Sequence, residues 1–319
     1  MKVDPGQSRV RGFEPLLDIL TSPWAIVVEK LMEIQNIYFT HLRGEKIDIR
    51  AIEAQLGKPL DNQPKGYEIK DGVAILPIEG VLAKRMNLFS RISGGTSMQL
   101  IERDFKEALA DPQVNSIILA IDSPGGTVDG TQELANEIFK SRGEKPVIAF
   151  AHGLMGSAAY WIGSAADEIV MSGDTTQIGS IGVVATHTDV SKAEERIGYK
   201  TTEITAGRYK RIASEYAPLS AEGRATIQDI VDHLYSVFVQ GVARNRGVGE
   251  EKVLSDMADG RIFLGQKAIA AGLVDRMETL DGTVGRMSGR GSAEYYRMIA
   301  QRDLRRSLDA KKKEENDAS

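Results

Sequence analysis

Three short stretches of the chain carry residue types that can do chemistry together. The first is Gly156-Ser157-Ala158-Ala159, a run of very small residues into which the apolar run PVIAF (146–150) feeds through His152 and Gly153. A serine hydroxyl is a poor nucleophile at neutral pH and needs a base beside it, with N–H donors aimed at the developing oxyanion. Ser157 follows a buried strand and opens a helix, where free backbone N–H groups converge, and its small neighbours leave room for a substrate backbone. The second stretch is Ser123-Pro124-Gly125-Gly126, two glycines immediately after the strand SIILAI (116–121), whose N–H groups can face a ligand without Cβ obstruction. The third is AGRYKRIASEYAPLS (206–220), which sets Lys210 between Arg208 and Arg211 in a loop ahead of a long helix.

Each stretch also has a plain structural reading. Ser157 fits an ordinary N-cap, the Pro-Gly pair a common turn, and Lys210 a solvated basic loop. Gly179-Ser180-Ile181-Gly182 reads either as a strand entry or as the place where Ser180 hydrogen-bonds a neutral lysine amine. A lysine with a reference pKa of about 10.4 costs roughly 4.6 kcal/mol to hold neutral at pH 7, so a lysine base must be desolvated or set near another cation.

The alternatives for the base are few. Cysteine is absent, which excludes disulfides, cysteine nucleophiles and thiolate zinc sites, and the four histidines are His41, His152, His187 and His233. None of them stands in a Ser-His-Asp pattern, and no G-x-S-x-G elbow occurs.

The elements that must position these residues read as an α/β body. From Gly72 onward short apolar strands alternate with amphipathic helices, the signature of a layered domain with a mostly parallel sheet. VAILPI (73–78) predicts a strand, and the helix after it opens on the capping pair Thr96 and Gln99 and buries Ile101, Phe105, Ala108 and Leu109. Strand SIILAI, a tight turn at 123–126, a helix over 130–140 and strand PVIAF follow. Further strands are expected at 168–171, 181–185 and 201–205. A long helix over 221–244 carries Ile227, Ile230, Val231, Leu234, Val237 and Phe238 on one side, toward the body or a neighbouring subunit.

Residues 1–68 read as a helical N-terminal extension and linker, with patterning at 31–42 and 49–56 and the turn-rich GKPLDNQPKG at 57–66. Residues 69–279 are the body, and 280–319 a polar, flexible tail that ends in charged and small residues.

Forty basic against 45 acidic residues give a formal charge of −5, which creates no field for a polyanion, so nucleic acid is not an expected partner. The start, MKVDPGQSRVRGFEPLLDIL, lacks the uninterrupted apolar core of about 7 to 15 residues that a signal peptide needs. The most apolar early run, Pro23 to Val28, is far short of the roughly 20 residues of a membrane span. A cytoplasmic protein is expected.

In this order the pieces resemble the S49 peptidase family, which includes signal peptide peptidase A and phage head-maturation proteases. The pieces are VAILPIEGVL (73–82), IDSPGGTVDG (121–130), GSAAYWIGSAADEIVM (156–171), TQIGSIGVV (176–184), AGRYK (206–210) and AIAAGLVD (268–275). The resemblance implies a crotonase-like, Clp-protease-like repeated β/α fold, assembled as a homo-oligomeric ring in which neighbouring subunits complete the sites. It implies Ser157 as nucleophile, Lys210 as general base, Gly126 and Ala158 as oxyanion donors, Ser180 orienting the lysine, and no metal or organic cofactor. It further implies a protein or peptide substrate. The extension before Gly72 and the lack of a hydrophobic anchor are similar to phage or prophage capsid assembly proteases, which clip scaffold and portal-associated proteins inside an immature head. Asp122 departs from the family, where a neutral polar residue is often found.

Other functions compatible with the sequence are a cellular signal peptide peptidase A-like enzyme, a crotonase-type acyl-CoA enzyme and a non-catalytic assembly scaffold. The acyl-CoA enzyme would not need Ser157 or Lys210 and usually sets carboxylates over the acyl group. No convincing Glu stands at the corresponding helix starts.

Overall fold

The computed structural model describes residues 23–28, 30–32, 66–85, 95–288, 295–297 and 299–301. The helical stretch expected at 49–56, most of that at 31–42, the linker up to residue 65 and the charged end of the tail lie outside them.

Along the chain come β1 (Trp24–Ile26), β2 (Glu68–Lys70), β3 (Val73–Glu79), β4 (Leu82–Ala83), β5 (Thr96–Ser97) and helix α1 (Met98–Ala110). Two further strand and helix units follow: β6 (Ser116–Ser123), β7 (Gly125–Thr127) and α2 (Thr131–Lys140), then β8 (Val147–Gly156) and α3 (Ala158–Ser164). After these come β9 (Glu168–Met171), β10 (Gln177–Gly179), α4 (Ser191–Ile197), α5 (Ala221–Arg246) and α6 (Glu250–Asp256). The described elements close with β11 (Ile262–Leu264), α7 (Gln266–Ala270), β12 (Arg276–Met277) and α8 (Leu280–Met287).

Among the described residues the result is a mixed α/β fold with two sheets. In the larger, β3, β6 and β8 are parallel neighbours. The far edge of β8 is shared by β9 over its first half and β10 over its second. Parallel strands joined through helices are covered on both faces, and their sequences are accordingly apolar throughout. Within β6, Ile117, Leu119 and Ile121 join the main core with α1, α2 and α3, while Ile118 faces a second cluster with Ile148, Phe150, Val284, Met287 and Tyr295. Thus the first residues of the 280–319 segment form a helix, and Tyr295 beyond it is buried against the sheet.

The smaller sheet has the order β1-β7-β4-β5. It is anchored by Ser123, whose hydroxyl donates to Gly80 O (2.7 Å) and accepts from Gly125 N–H (3.2 Å).

Four expectations change. Thr96 sits in β5 and its hydroxyl donates to Glu79 O, so Ser97 takes the N-cap position of α1 with no side-chain cap bond. The glycines at 125–126 form a strand rather than a bare turn, because β1 and β4 pair with them on either side. The strand expected at 181–185 lies earlier, at Gln177–Gly179, with Val184 contributing a single bridge to Trp24, and the one at 201–205 is irregular and exposed. The buried residues of α5 are Gly223, Phe238, Val239, Val242, Ala243 and Asn245. Its middle is exposed or half-buried, and Ile230 is exposed. The apolar side of that helix is real, but only its C-terminal half meets the core.

Candidate active site

Ser157 stands at the junction of β8 and α3, in the N-cap position, with φ 53° and ψ −117°. L side chains rarely adopt such a backbone, at a cost of order 1–3 kcal/mol, so the surroundings must impose it. They do so from several sides. Ser157 N–H donates to Gly179 O (2.7 Å), tying the turn to β10, which itself runs parallel to the end of β8. Helix α3 is fully buried: Trp161 stacks on Phe238 of α5 with centroids 4.6 Å apart, and Tyr160 donates to Leu273 O (3.1 Å). Burial pushes the Tyr160 phenol well above its ordinary pKa, so it remains a neutral donor. The C-terminal carbonyls of α3 are gathered by Arg142, whose guanidinium donates to Ser164 O, Ala165 O and Ala166 O.

Behind the site two buried acids hold the frame. Asp275 pairs with Arg246 (2.7 Å) and accepts from Ile169 N–H, and Glu168 is bracketed by Arg276 (2.6 Å) and Arg286 (2.9 Å).

The Gly-rich strand β7 lies beside this junction. A Cβ built on Gly125, whose φ is 101°, would stand 3.0 Å from both Ala158 N and Gly156 O, so the backbones of β7 and of the Ser157 turn are in close approach. Ser180 reaches the same place. Its φ is 51°, its N–H donates to Arg261 O (2.8 Å), and two residues on, Gly182 O accepts from Ser157 Oγ at 3.4 Å. The fold therefore gathers Ser157, Ala158, Gly126 and Ser180.

Among the described residues no hydrogen bond joins Lys210 to them. Lys210 lies in an exposed turn, its N–H donating to Gly207 O (3.1 Å), and among the described residues its amine has no hydrogen-bond or ion-pair partner. That turn belongs to an arm held by Arg211, which bridges Glu203 and Glu215. Among the described residues histidine supplies no substitute: His152 is exposed on β8, His233 is exposed on α5, and His187 is engaged with Ser214 O (2.9 Å).

Asp122 now has a structural role. Its carboxylate accepts from Leu154 N–H (2.9 Å) beside the register shift between β6 and β8, fixing the bend that carries β8 on toward Ser157.

Sequence reasoning missed two contributors. One is Ser123, which ties the Gly-rich strand to Gly80. The other is the run PWAIV at 23–27, which is tested above only as a membrane span. It lies antiparallel to β7, with Ala25 opposite Gly126. A proline followed by a short apolar run was the available signal, although nothing in it names the partner strand.

Among the described residues no helix is long and apolar enough to cross a membrane. The model of peptidase family S49 matches residues 140–292, from the end of α2 past α8. The capsid assembly protease C of Escherichia phage lambda is 32% identical over 238 residues, which are 71% of this chain and 54% of that protein. A putative signal peptide peptidase SppA of Enterococcus faecium is 31% identical over 205 residues, 63% of this chain and 58% of its own length. A putative protease of Synechocystis is 32% identical over 195 residues, 61% of this chain and 69% of that protein. The chain thus spans about half the length of the phage relative and most of the cyanobacterial one. Joined to the motif order from IDSPGGTVDG to AIAAGLVD, these likenesses establish that the chain belongs to peptidase family S49.

Proposed function

We propose that the chain is a serine endopeptidase in which Ser157 is the nucleophile, Lys210 the general base, Gly126 and Ala158 the oxyanion donors, and Ser180 the residue that orients the lysine. The observation that carries this is the strained Ser157 turn, set with its N-terminal helix backbone against the Gly-rich strand. Ser157 Oγ gives its proton to the neutral lysine amine as it attacks a peptide carbonyl, and the carbonyl oxygen gathers charge between the two N–H groups. The lysine returns that proton to the departing amine. Water, deprotonated by the same lysine, then hydrolyses the ester on Ser157. The alternation of strand and helix from β3 to α3 supports a crotonase-like, Clp-protease-like arrangement.

Within one chain Lys210 and Ser157 are not partners, which favours a site completed by a neighbouring copy in a ring. The arm that carries Lys210 exposes Ile197, Tyr199, Ile204 and Tyr209, with Ile204 96% exposed, an apolar surface suited to burial against another copy. Burial there would take the amine out of water, the environment a lysine base requires. The name of the phage relative supports a role in processing capsid-assembly proteins.

The test is incubation of the parent, Ser157→Ala and Lys210→Ala with casein, read by intact mass. Fragments made by the parent and by neither variant support the dyad. Equal fragmentation by all three would remove it.

A further inference from the structure

The Gly-rich strand does not stand open. Residues 23–27 lie along it in extended form, with Trp24 opposite Thr127, Ala25 opposite Gly126 and Ile26 opposite Gly125. On the other side of the same segment, Trp24 exchanges both backbone hydrogen bonds with Val184 (2.8 Å each). An extended peptide is therefore held between two backbone edges, one from β7 and one from the strand-like residues after Ser180.

The hydrogen-bond phase is informative. Val27 N–H donates to Pro124 O (2.9 Å) and Val128 N–H to Pro23 O (3.4 Å). Bonded pairs alternate in an antiparallel ladder, so the pair between these two is Ala25 with Gly126, and Gly126 N–H donates to Ala25 C=O. Gly126 N–H is the donor assigned above to the oxyanion. The second assigned donor is close by, since a Cβ on Gly125 would stand 2.3 Å from Ala25 O and 3.0 Å from Ala158 N. Val27 in turn reaches the nucleophile's own turn, its Cγ2 2.9 Å from where a Gly156 Cβ would lie.

Resting on the peptidase reading, we infer that Pro23–Val27 is a resident occupant of the substrate-strand slot, with Ala25 C=O at the oxyanion donors, and that an extended peptide must displace it before Ser157 can act. The anchorage suits a removable strand. Trp24, Ile26 and Leu31 pack with Val81 and Val184 in a small cluster separate from the main core. Lys30 and Leu31 N–H both return to Val27 O, turning the chain away immediately past the slot. The body's two larger cores contain, of this segment, only Ala25.

The experiment compares the full chain with Trp24→Asp, which loosens the small cluster and leaves the main core intact. A fluorophosphonate, mapped to Ser157 by peptide mass, should react at least tenfold faster with the variant. Reaction at the parent rate in a folded variant would overturn the inference. Should the variant fail to fold, amide exchange on the unmodified full chain decides. The aldehyde acetyl-Pro-Trp-Ala-H, built on residues 23–25, should raise exchange at Trp24–Val27 at least tenfold once it is bound to Ser157. Bound aldehyde with unchanged protection there would refute the occupant. Failure of Ser157 to react with either probe in any form of the protein would instead remove the peptidase reading itself, and the inference with it.

Discussion

Gly126→Ala is the substitution that most sharply probes the geometry of the proposed site. Gly126 lies in the middle of the small sheet, with Leu82 on one side and Ala25 on the other. An added Cβ would stand 1.8 Å from Leu82 O, 2.5 Å from Leu82 C and 2.7 Å from Leu82 Cα. Every one of these atoms is backbone, so no rotamer change relieves the clash. An ordinary carbon to carbonyl-oxygen approach is about 3.3 Å or more, and β4 and β7 must separate by roughly 1.5 Å to reach it. Overpacking of this kind costs about 3 kcal/mol, and a lost ladder hydrogen bond adds about 1 kcal/mol. A total near 4 kcal/mol lowers the melting temperature by about 10 °C for a domain of this size. Because the same shift moves an oxyanion donor, kcat should fall by about 100-fold or more. Gly173→Ala, where an added Cβ meets nothing within 4 Å, is the control and should melt with the parent. Thermal unfolding followed by circular dichroism, with peptide hydrolysis on the same samples, reads both effects. A Gly126→Ala protein that melts within about 2 °C of the parent, where about 10 °C is expected, would refute the close packing of β7 on β4.

Other perturbations test the frame and the assembly. Arg246→Met leaves Asp275 buried without its bidentate partner. It should cost about 3–5 kcal/mol in chemical denaturation, and a loss under about 1 kcal/mol would contradict the role given to that pair. Trp161→Ala empties the interface between α3 and α5 and should cost about 3–5 kcal/mol, together with loss of activity as the Ser157 turn slackens. If neighbouring copies complete the sites, inactive Ser157→Ala and Lys210→Ala proteins, unfolded and refolded together in equal amounts, should recover about a quarter of parental casein hydrolysis. No recovery would put both residues in one copy's site. Hydrogen bonding from Ser214, then Arg211, holds Glu203 below the usual glutamate range. The folded pKa is thus below the unfolded one, so this tether of the Lys210 arm is present above the unfolded value and lost as pH falls through the folded one. Protection of the amides of residues 199–217, measured relative to their intrinsic exchange rates, should therefore fall once pH drops below the ordinary glutamate range, and unchanged protection there would refute the tether.

The strands of the large sheet were legible because both faces are covered, which leaves continuous apolar runs such as SIILAI and VAILPI. Helices α1 and α2 were legible from amphipathic spacing, and the small residues around Ser157 from the crowding that a strained turn imposes. What escaped depends on partners distant in sequence. Residues 123–126 read as a turn until β1 and β4 are known to flank 125–127, and β1 is only three residues long, directly after a proline. The apolar side of α5 gives no sign that Ile230 in its middle is exposed while Phe238, Val239 and Val242 are buried, since an exposed apolar face has the same composition as one packed on the core. Lys210 was found through motif order, and its exposure follows from the path of the irregular arm at 199–217, which no local pattern encodes.

The most direct test of the central claim is covalent labelling of the parent and of Lys210→Ala with a fluorophosphonate, followed by peptide mapping. Modification of Ser157 alone in the parent, with the rate reduced at least about 100-fold in Lys210→Ala, is the result expected of a serine activated by that lysine. Labelling of a different residue, or of Ser157 at the same rate in both proteins, would contradict it.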